Sequence, residues 1–261
     1  MLNKKLKATS PGLRHQVLIE KNTLCKNNTF LKNHTMCIKK TGGRSTQNGH
    51  TTSWHRGGGN KKKLILTKNI KHQTFCICVA VVYCSTRSCF IAVHFNLITL
   101  KFNFNIHTDK QCIGGLLESG LNSKLITQKI GSILSLDTVY AGAIINSVYK
   151  QDKSIFAKAA GTYCQVVQKY KNYVKIKLPS GKIIGLEAKY FATLGSVSNK
   201  NHSLCVLGKA GKQRYKSKRS IVRGVAMNPV DHPHGGRTNG GRPSVSPWGK
   251  LTKGVPTKKN K

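Results

Sequence analysis

Acidic side chains are scarce in this sequence: its 261 residues include 7 Asp and Glu against 45 Lys and Arg, a formal net charge of +38. A free globule with this excess would repel itself, so we expect a polyanion to neutralise it. Nucleic acid is the first candidate and an acidic membrane surface the second. The basic residues are spread along the whole chain, which favours a large partner that envelops it. A metal-dependent nuclease is disfavoured, because it needs clustered carboxylates.

Cysteine pairs with zinc-ligand spacing are also missing. The nine cysteines are an odd number, irregularly spaced, and they include no CxxC pair, so a four-ligand zinc site has no signature. Cys76 and Cys78 fall in the apolar segment FCICVAVV and are interpreted as small strand residues. We predict structural thiols in a reducing compartment, and no metal bound by protein ligands alone.

Only one apolar run, residues 75–95, is long enough to span a membrane. Arg87 lies near its centre, where a charge is costly in lipid, and the apolar pattern beyond it alternates. We therefore predict strands here rather than a transmembrane helix, and no membrane partner. The N-terminal segment MLNKKLKATSPG lacks both the apolar run of a secretory signal and the Arg-rich pattern of a transit peptide.

Alternating apolar residues predict an all-β chain with two small barrels. Short strand patterns run from Leu64 to Gly120, and in 100–106, LKFNFNI, every second residue is apolar, which predicts one buried face. In the second block, YVKIKL and KIIGLE flank the turn Pro179-Ser180-Gly181. The repeated helical pattern of an α/β enzyme is absent.

Four regions follow from these patterns. Residues 1–38 are interpreted as an extended basic arm, and 39–120 as a Gly/Arg-rich loop leading into the first barrel. Residues 121–200 are predicted to form the second barrel. The tail, 201–261, has few apolar residues and is expected to take a fixed shape only against its partner.

The segment HRGGGNKKK, residues 55–63, is a candidate phosphate-binding loop. Its three glycines leave backbone N–H groups bare, and Arg56 and Lys61–Lys63 supply charge on both sides. The GK[ST] ending of a Walker A loop is missing. The alternative is a flexible solvated loop.

The segment MNPVDHPHGGRTNGGRP, residues 227–243, contains Asp231 next to His232, and His234 two residues on. Three interpretations are open: a catalytic acid–base pair, a metal site or an RNA contact. Catalysis by the free protein needs a packed second shell, which this Gly- and Pro-rich stretch does not offer. Imidazoles can bond phosphates, 2′-hydroxyls or bases, and Asp231 could accept from a guanine edge, orient His232 or hold a cation shared with RNA.

Several segments together resemble the universal large-subunit ribosomal protein L-two family. The most specific is RGVAMNPVDHPHGG, 223–236, with SPWGKLTKG, 246–254. Others are SPGLRHQ (10–16), GGRSTQNGHTTSWHRGGGNKKK (42–63), AGTYCQVV (160–167), ATLGSVSN (192–199) and LGKAGKQRYKSKRSIVRG (207–224).

The resemblance implies an OB-fold barrel followed by an SH3-like barrel, with long basic arms that penetrate ribosomal RNA. It implies a structural constituent of the large subunit rather than an enzyme, in contact with large-subunit rRNA, neighbouring ribosomal proteins and the small subunit. It also implies support for assembly, subunit association and the peptidyl transferase centre, with the family's Asp-His pair falling on Asp231 and His232. No small-molecule substrate or cofactor is expected, beyond Mg²⁺ or K⁺ shared with the RNA. The alternative is another basic nucleic-acid-binding protein.

From the basic, glycine-rich and aromatic residues of these segments we select candidate RNA-binding positions. They are Arg14, His15, Arg44, His55, Arg56, Gly57, Gly58, Gly59, Lys61, Lys62, Lys63, Lys209, Lys212, Arg214, Lys216, Arg219, Arg223, His234, Gly235, Gly236, Arg237, Arg242, Trp248 and Lys250.

The sequence departs from the family pattern in three places. Arg237 directly follows HPHGG, where the family commonly has Gly-Glu-Gly; RPSVSPWG replaces Arg-His-Pro-Val-Thr-Pro-Trp-Gly; and 64–120 is less similar. The Lys- and Asn-rich composition, the divergent first barrel and the missing import signal suggest an organelle-encoded member. The run GRTNGGR, 236–242, resembles α-proteobacterial relatives, which favours the mitochondrial matrix over a plastid or a bacterial cytoplasm.

Overall fold

The computed structural model describes residues 3–22, 24–25, 31–38, 42–67, 74–120, 129–150, 153–237 and 241–255. Three features of the sequence prediction lie outside the described residues: the domain boundaries at 39 and 121, and the end of the tail from 256 onward.

Within the described residues the chain is nearly all β. Four three-residue strands come first: β1 (Asn3–Lys5), β2 (Val17–Ile19), β3 (Thr35–Cys37) and β4 (Lys63–Ile65). The first strand group follows: β5 (Thr74–Val82), β6 (Ile91–Asn96), β7 (Phe102–Ile106) and β8 (Leu116–Gly120). The second group is β9 (Ile133–Ser135), β10 (Ile144–Lys150), β11 (Lys153–Phe156), β12 (Cys164–Lys169), β13 (Tyr173–Lys177), β14 (Ile183–Glu187) and β15 (Phe191–Leu194). The helical segments are 3-10 turns at Lys32–His34, Lys200–Leu204 and Gly224–Ala226, and one short helix, α1 (Ala210–Tyr215).

The first strand group is an antiparallel sheet in which β5 lies between β6 and β8, and β7 pairs with β6. The segment 75–95 forms β5, a turn and β6, as predicted. Cys76 and Cys78 are buried strand residues, which confirms their structural interpretation, and burial raises the pKa of the Cys78 thiol to about 11. Across the described part of the chain, no helix has the length and apolar character needed to cross a membrane.

The predicted one-sided burial of residues 100–106 is partly wrong. Phe104 and Ile106 are buried, but Leu100 is 71% exposed, because it has a φ of 52° and precedes β7. Phe102, at the start of β7, is 38% exposed, and its ring lies beside that of Phe95, with centroids 5.3 Å apart. Asn105, predicted to face solvent, is buried, since this end of β7 is covered on both sides.

The second strand group is arranged around β10, which pairs with β11, β12 and β15. Val174 and Ile176 of β13 are fully buried, as the alternation predicted. The predicted turn connects β13 to β14: Gly181 has a φ of 86°, and its N–H donates to the Leu178 carbonyl at 2.9 Å. The core of this group, from Leu134 to Leu194, comes entirely from its own strands and loops. Two all-β groups in this order are consistent with the expected OB-fold and SH3-like barrels.

Parallel pairing of β8 with β9 joins the two groups, and buried polar side chains lie beside this junction. The Gln111 side chain accepts a hydrogen bond from the Thr108 N–H and donates its Nε2–H to His94 Nε2 at 2.8 Å. Burial lowers the pKa of His94 to about 4, with His107 adding to the effect. Burial also lowers the pKa of His107, and neither of its ring nitrogens has a hydrogen-bond partner among the described residues.

The N-terminal region is folded back onto the chain rather than extended throughout. β1 pairs with β2, and Val17 bridges to Val206. Leu24 and Leu31 are buried in clusters with residues of the first strand group. A Cβ on Gly208 would lie 2.8 Å from the Gly12 carbonyl oxygen, so glycine allows these two segments to approach.

The chain divides into two compact units. One contains residues 1–39 and 60–212, with both strand groups; the other contains 40–59 and 213–261. The sequence prediction assigned 39–59 to the first barrel region and kept the tail separate. In the structure, residues 40–59 form one unit with 213–261, whereas residues 60–63 and 201–212 belong to the unit with the strand groups.

Candidate nucleic-acid interface

The glycine-rich loop is attached to residues 217–220 by backbone hydrogen bonds. The Arg219 N–H donates to the His55 carbonyl at 2.9 Å, and the Gly57 N–H donates to the Ser217 carbonyl at 3.2 Å. Arg56 and Lys218 form an isolated antiparallel β-bridge through their backbones. The His55 ring donates from Nδ1 to the Ser220 carbonyl at 2.9 Å. This loop therefore has a defined conformation rather than that of a freely solvated segment.

The three consecutive glycines have different surroundings. A Cβ on Gly57 would lie 3.2 Å from the Arg219 guanidinium, and one on Gly59 would lie 2.6 Å from the Tyr215 carbonyl oxygen. Gly58 faces open space at a φ of 63°. All three were predicted to allow close approach to phosphates. At Gly57 and Gly59 the absence of a side chain lets other parts of the protein's own chain approach closely. The sequence did not reveal this packing role. Phosphate contact at these glycines remains a prediction.

Most predicted cations are exposed side chains. In the unit of 40–59 and 213–261 the exposed ones are Arg44, Arg56, Arg214, Lys216, Arg219, Arg223, Arg237, Arg242 and Lys250; in the other unit they are Arg14, Lys61, Lys63 and Lys209. His15 is exposed, and Lys62 and Lys212 are half-buried. With 7 acids against 45 cations, internal pairing such as that of Lys200 with Asp109, 2.8 Å apart, can neutralise few of them.

His232 is the buried centre of the HPHGG turn, only 8% exposed. A Cβ on Gly224 would lie 2.6 Å from its ring, so a glycine at 224 makes room for the imidazole. The His234 N–H donates to His232 Nδ1 at 3.0 Å. In the neutral ring, Nε2 therefore bears the proton and is a donor.

Two glycines shape the same turn. Gly235 N–H donates to the His232 carbonyl at 2.8 Å, and Gly236 N–H donates to the Met227 carbonyl at 3.1 Å. A Cβ on Gly235 would collide with the Asn228 carbonyl, and Gly236 has a φ of 105°. These glycines permit the tight turn, a role distinct from the RNA contact predicted for them.

The structure does not join Asp231 to His232 through side chains. Asp231 is exposed, and within the described residues its carboxylate makes no hydrogen bond or ion pair. The rings that do meet are those of His232 and His234, with centroids 4.8 Å apart. His234 Nε2 lies 3.0 Å from the Pro243 carbonyl oxygen and 3.3 Å from the Val245 nitrogen; when protonated it donates to the carbonyl, and when unprotonated it accepts from the Val245 N–H. No group of three or more potential metal ligands occurs in the described residues.

Trp248 lies at the tip of a hairpin closed by the Val245–Leu251 bridge and by Gly249 N–H donating to the Ser246 carbonyl at 2.9 Å. Its ring meets that of Trp54 at a centroid distance of 5.9 Å and an angle of 86°. Trp248 was among the RNA-binding positions predicted from the sequence, and Trp54 was not. The position of Trp54 immediately before the HRGGG segment was the available signal.

Taken together, the two strand groups and the exposed cations define a basic, all-β protein with a polycationic surface. Comparison with known sequences identifies the family within this class of basic, all-β proteins. The family described as "Ribosomal Proteins L2, C-terminal domain" matches residues 129–249. Proteins named "Large ribosomal subunit protein uL2" from Rickettsia typhi, Rickettsia massiliae and Rickettsia rickettsii are each 40% identical over 270 residues, covering 100% of this chain and 96% of theirs. The chain belongs to the ribosomal protein L2 family.

Proposed function

We propose that this protein is a structural constituent of the large ribosomal subunit that binds large-subunit rRNA and supports translation without being an enzyme itself. Full-length similarity to proteins named as large-subunit constituents supports this function. Its partners are rRNA and neighbouring ribosomal proteins, with the small subunit at the interface.

The single observation that carries the RNA-binding part of the proposal is the surface charge. An excess of 38 cations over acids cannot be balanced within the chain, and the described candidate cations are largely exposed. A phosphate backbone supplies closely spaced negative charges, and binding to it releases condensed counterions. A purely acidic protein partner would not account for the glycine-rich and aromatic segments placed among these cations.

The test is cosedimentation of the tagged, full-length protein with ribosomal subunits in a gradient of cell lysate. We expect it in the large-subunit fraction at stoichiometric amounts, and we expect it to leave that fraction when the particles are digested with ribonuclease. Its recovery in the soluble fraction or in detergent-extracted membranes would contradict the proposal.

We further propose that His232 supports the peptidyl transferase centre, with RNA forming the catalytic surface. The buried ring and the Nε2–H donor support a positioning contact to RNA. Asp231 is exposed and directly precedes His232 in the sequence. Its carboxylate is suited to accept a hydrogen bond from a base or to hold a Mg²⁺ or K⁺ ion shared with RNA.

For the compartment we propose the mitochondrial matrix, on the composition and on the similarity to Rickettsia proteins. A bacterial cytoplasm is the alternative, and a plastid is a weaker one. Fractionation of source cells, followed by detection of the protein in ribosomes of each compartment, decides among them.

A further inference from the structure

The only two tryptophans of the chain form one exposed aromatic pair. Trp54 is 52% exposed and Trp248 is 70% exposed, although their rings meet edge to face. The His55 ring adjoins Trp54 at a centroid distance of 6.4 Å. With this exposure, the two indoles do not form a hydrophobic core, and most of their surface remains available to a partner.

Both tryptophans are held by backbone hydrogen bonds next to them. Before Trp54, the N–H groups of Thr52 and Ser53 donate to the Gly43 carbonyl at 2.8 and 2.9 Å. After it, His55 is attached to residues 219 and 220. Trp248 is held in its closed hairpin turn. A platform fixed before binding loses little conformational freedom when a ligand arrives.

The charged neighbours identify the kind of ligand. Arg56 follows Trp54 by two residues, Lys250 follows Trp248 by two, and both are exposed. Exposed indoles with cations two residues away along the chain match a nucleotide, whose base stacks while its phosphates meet the charges. An apolar protein surface would leave those cations without partners.

We propose that Trp54 and Trp248 form a platform on which an unpaired RNA base stacks. This rests on the proposed RNA-binding function and adds to it a nucleobase contact that includes Trp54, which sequence analysis did not select. In a duplex the base faces are covered by neighbouring pairs, so the ligand is a single-stranded or bulged nucleotide.

The experiment compares two probes on the full-length protein: a short oligoadenylate and an abasic oligomer of equal length, which keeps the phosphates and lacks the bases. Because both tryptophans belong to the platform, fluorescence excited where tyrosine does not absorb reports on it directly. We expect oligoadenylate to quench this emission and the abasic oligomer to leave it nearly unchanged. Trp54→Ala and Trp248→Ala should weaken oligoadenylate binding by roughly five- to 150-fold, the range for one base–aromatic stack, with abasic binding unchanged.

Tyr140→Ala is the matched control, because Tyr140 is an aromatic residue of similar exposure, 58%, in the second strand group. It should leave both affinities unchanged, and circular dichroism should show that all three variants keep the β structure. If the tryptophan variants bind both oligomers as wild type does, stacking is wrong while RNA binding stands. If wild-type protein binds neither oligomer nor large-subunit rRNA, the proposed function itself is wrong.

Discussion

At the scale of single residues, His232 has a structural role in its turn and, under the proposed function, a second role toward RNA. Its Nδ1 accepts from the His234 N–H within the turn, and Gly224 leaves space for the ring. In the proposed function, Nε2–H is the atom that donates to RNA. These two roles can be separated by substitution.

We predict that His232→Ala leaves the barrels folded and permits incorporation into large subunits, but slows peptide-bond formation. Loss of the buried acceptor should cost about 1–3 kcal/mol locally, which displaces the turn without removing the many other contacts. His232→Asn places an amide oxygen near the position of Nδ1 and removes the Nε2 donor. The measurement is peptidyl transfer by purified large subunits with each variant at full stoichiometry.

The two substitutions distinguish an RNA contact from a structural anchor. A contact through Nε2 predicts that both variants react slowly, whereas an anchor predicts that His232→Asn recovers the wild-type rate. Asp231→Asn should slow peptidyl transfer less than His232→Ala does if the carboxylate only accepts a hydrogen bond. It should slow the reaction by a comparable amount if the carboxylate holds a cation. Exposed Lys253 provides the control, since Lys253→Ala should barely change the rate. Wild-type rates in His232→Ala particles would contradict the supporting role.

A second residue-scale prediction concerns His94 and pH. Its folded pKa, about 4, lies below the ordinary value of 6.5, so the unfolded chain binds more protons between these values and stability falls as pH falls. The slope is about 1.4 kcal/mol per pH unit for one such group. Protonation would also place an N–H of His94 against the Gln111 amide N–H. Urea unfolding of the full-length protein at pH 7 and pH 5 should show this loss, and His94→Gln should reduce it. An unchanged pH dependence in that variant would show that His94 is not responsible.

At the scale of structural elements, the two parts of the chain differ in what stabilises them. The second strand group has a core drawn entirely from residues 134–194, whereas in the described part of the tail the turns are maintained mainly by local hydrogen bonds and close glycine contacts. Apolar burial supplies most of the free energy of folding. The strand group should therefore fold alone, and the tail should not.

We predict that a fragment of residues 129–200 unfolds cooperatively, and that Ile176→Ala lowers its free energy of unfolding by about 2–5 kcal/mol, as expected for a fully buried isoleucine. Ile183→Ala, at a 52% exposed position on the neighbouring strand, is the control and should cost much less. Residues 201–261 alone should give poorly dispersed amide NMR signals in the absence of RNA. Well-dispersed signals from that fragment would show that the tail is an independently folded domain.

At the scale of the whole molecule, we expect charge to determine how strongly the protein binds RNA. Each neutralised phosphate should lower log K by about 0.7–0.9 per tenfold rise in salt, so six such phosphates correspond to roughly a thousandfold loss between about 50 and 200 mM salt. Binding of full-length protein to large-subunit rRNA should show this dependence in filter-binding or fluorescence titrations. Replacing Lys61, Lys62 and Lys63 by Ala should make log K depend less steeply on log salt concentration. The slope should fall by about 0.7–0.9 for each phosphate that is no longer neutralised. A flat salt response would remove the electrostatic explanation.

Much of this organisation could be predicted from the sequence, because the signals are local. Period-two alternation in 173–178 fixes which residues face the core, and the turn at 179–181 needs only its own glycine conformation. The excess of basic residues follows from composition. The segment 223–236, with its linked Pro and Gly residues, identifies the family without any knowledge of packing.

The tertiary structure alone decided which distant segments meet. No local pattern pairs the HRGGG loop with residues 217–220, Trp54 with Trp248, or Gly224 with the ring of His232. The exposure of Phe102 and the burial of Asn105 likewise depend on what covers each face of β7, which alternation within one strand cannot specify. The sequence by itself determined the β class, the family and the charge. Packing determined the roles of individual glycines, histidines and tryptophans, because those roles depend on neighbours far away in the chain.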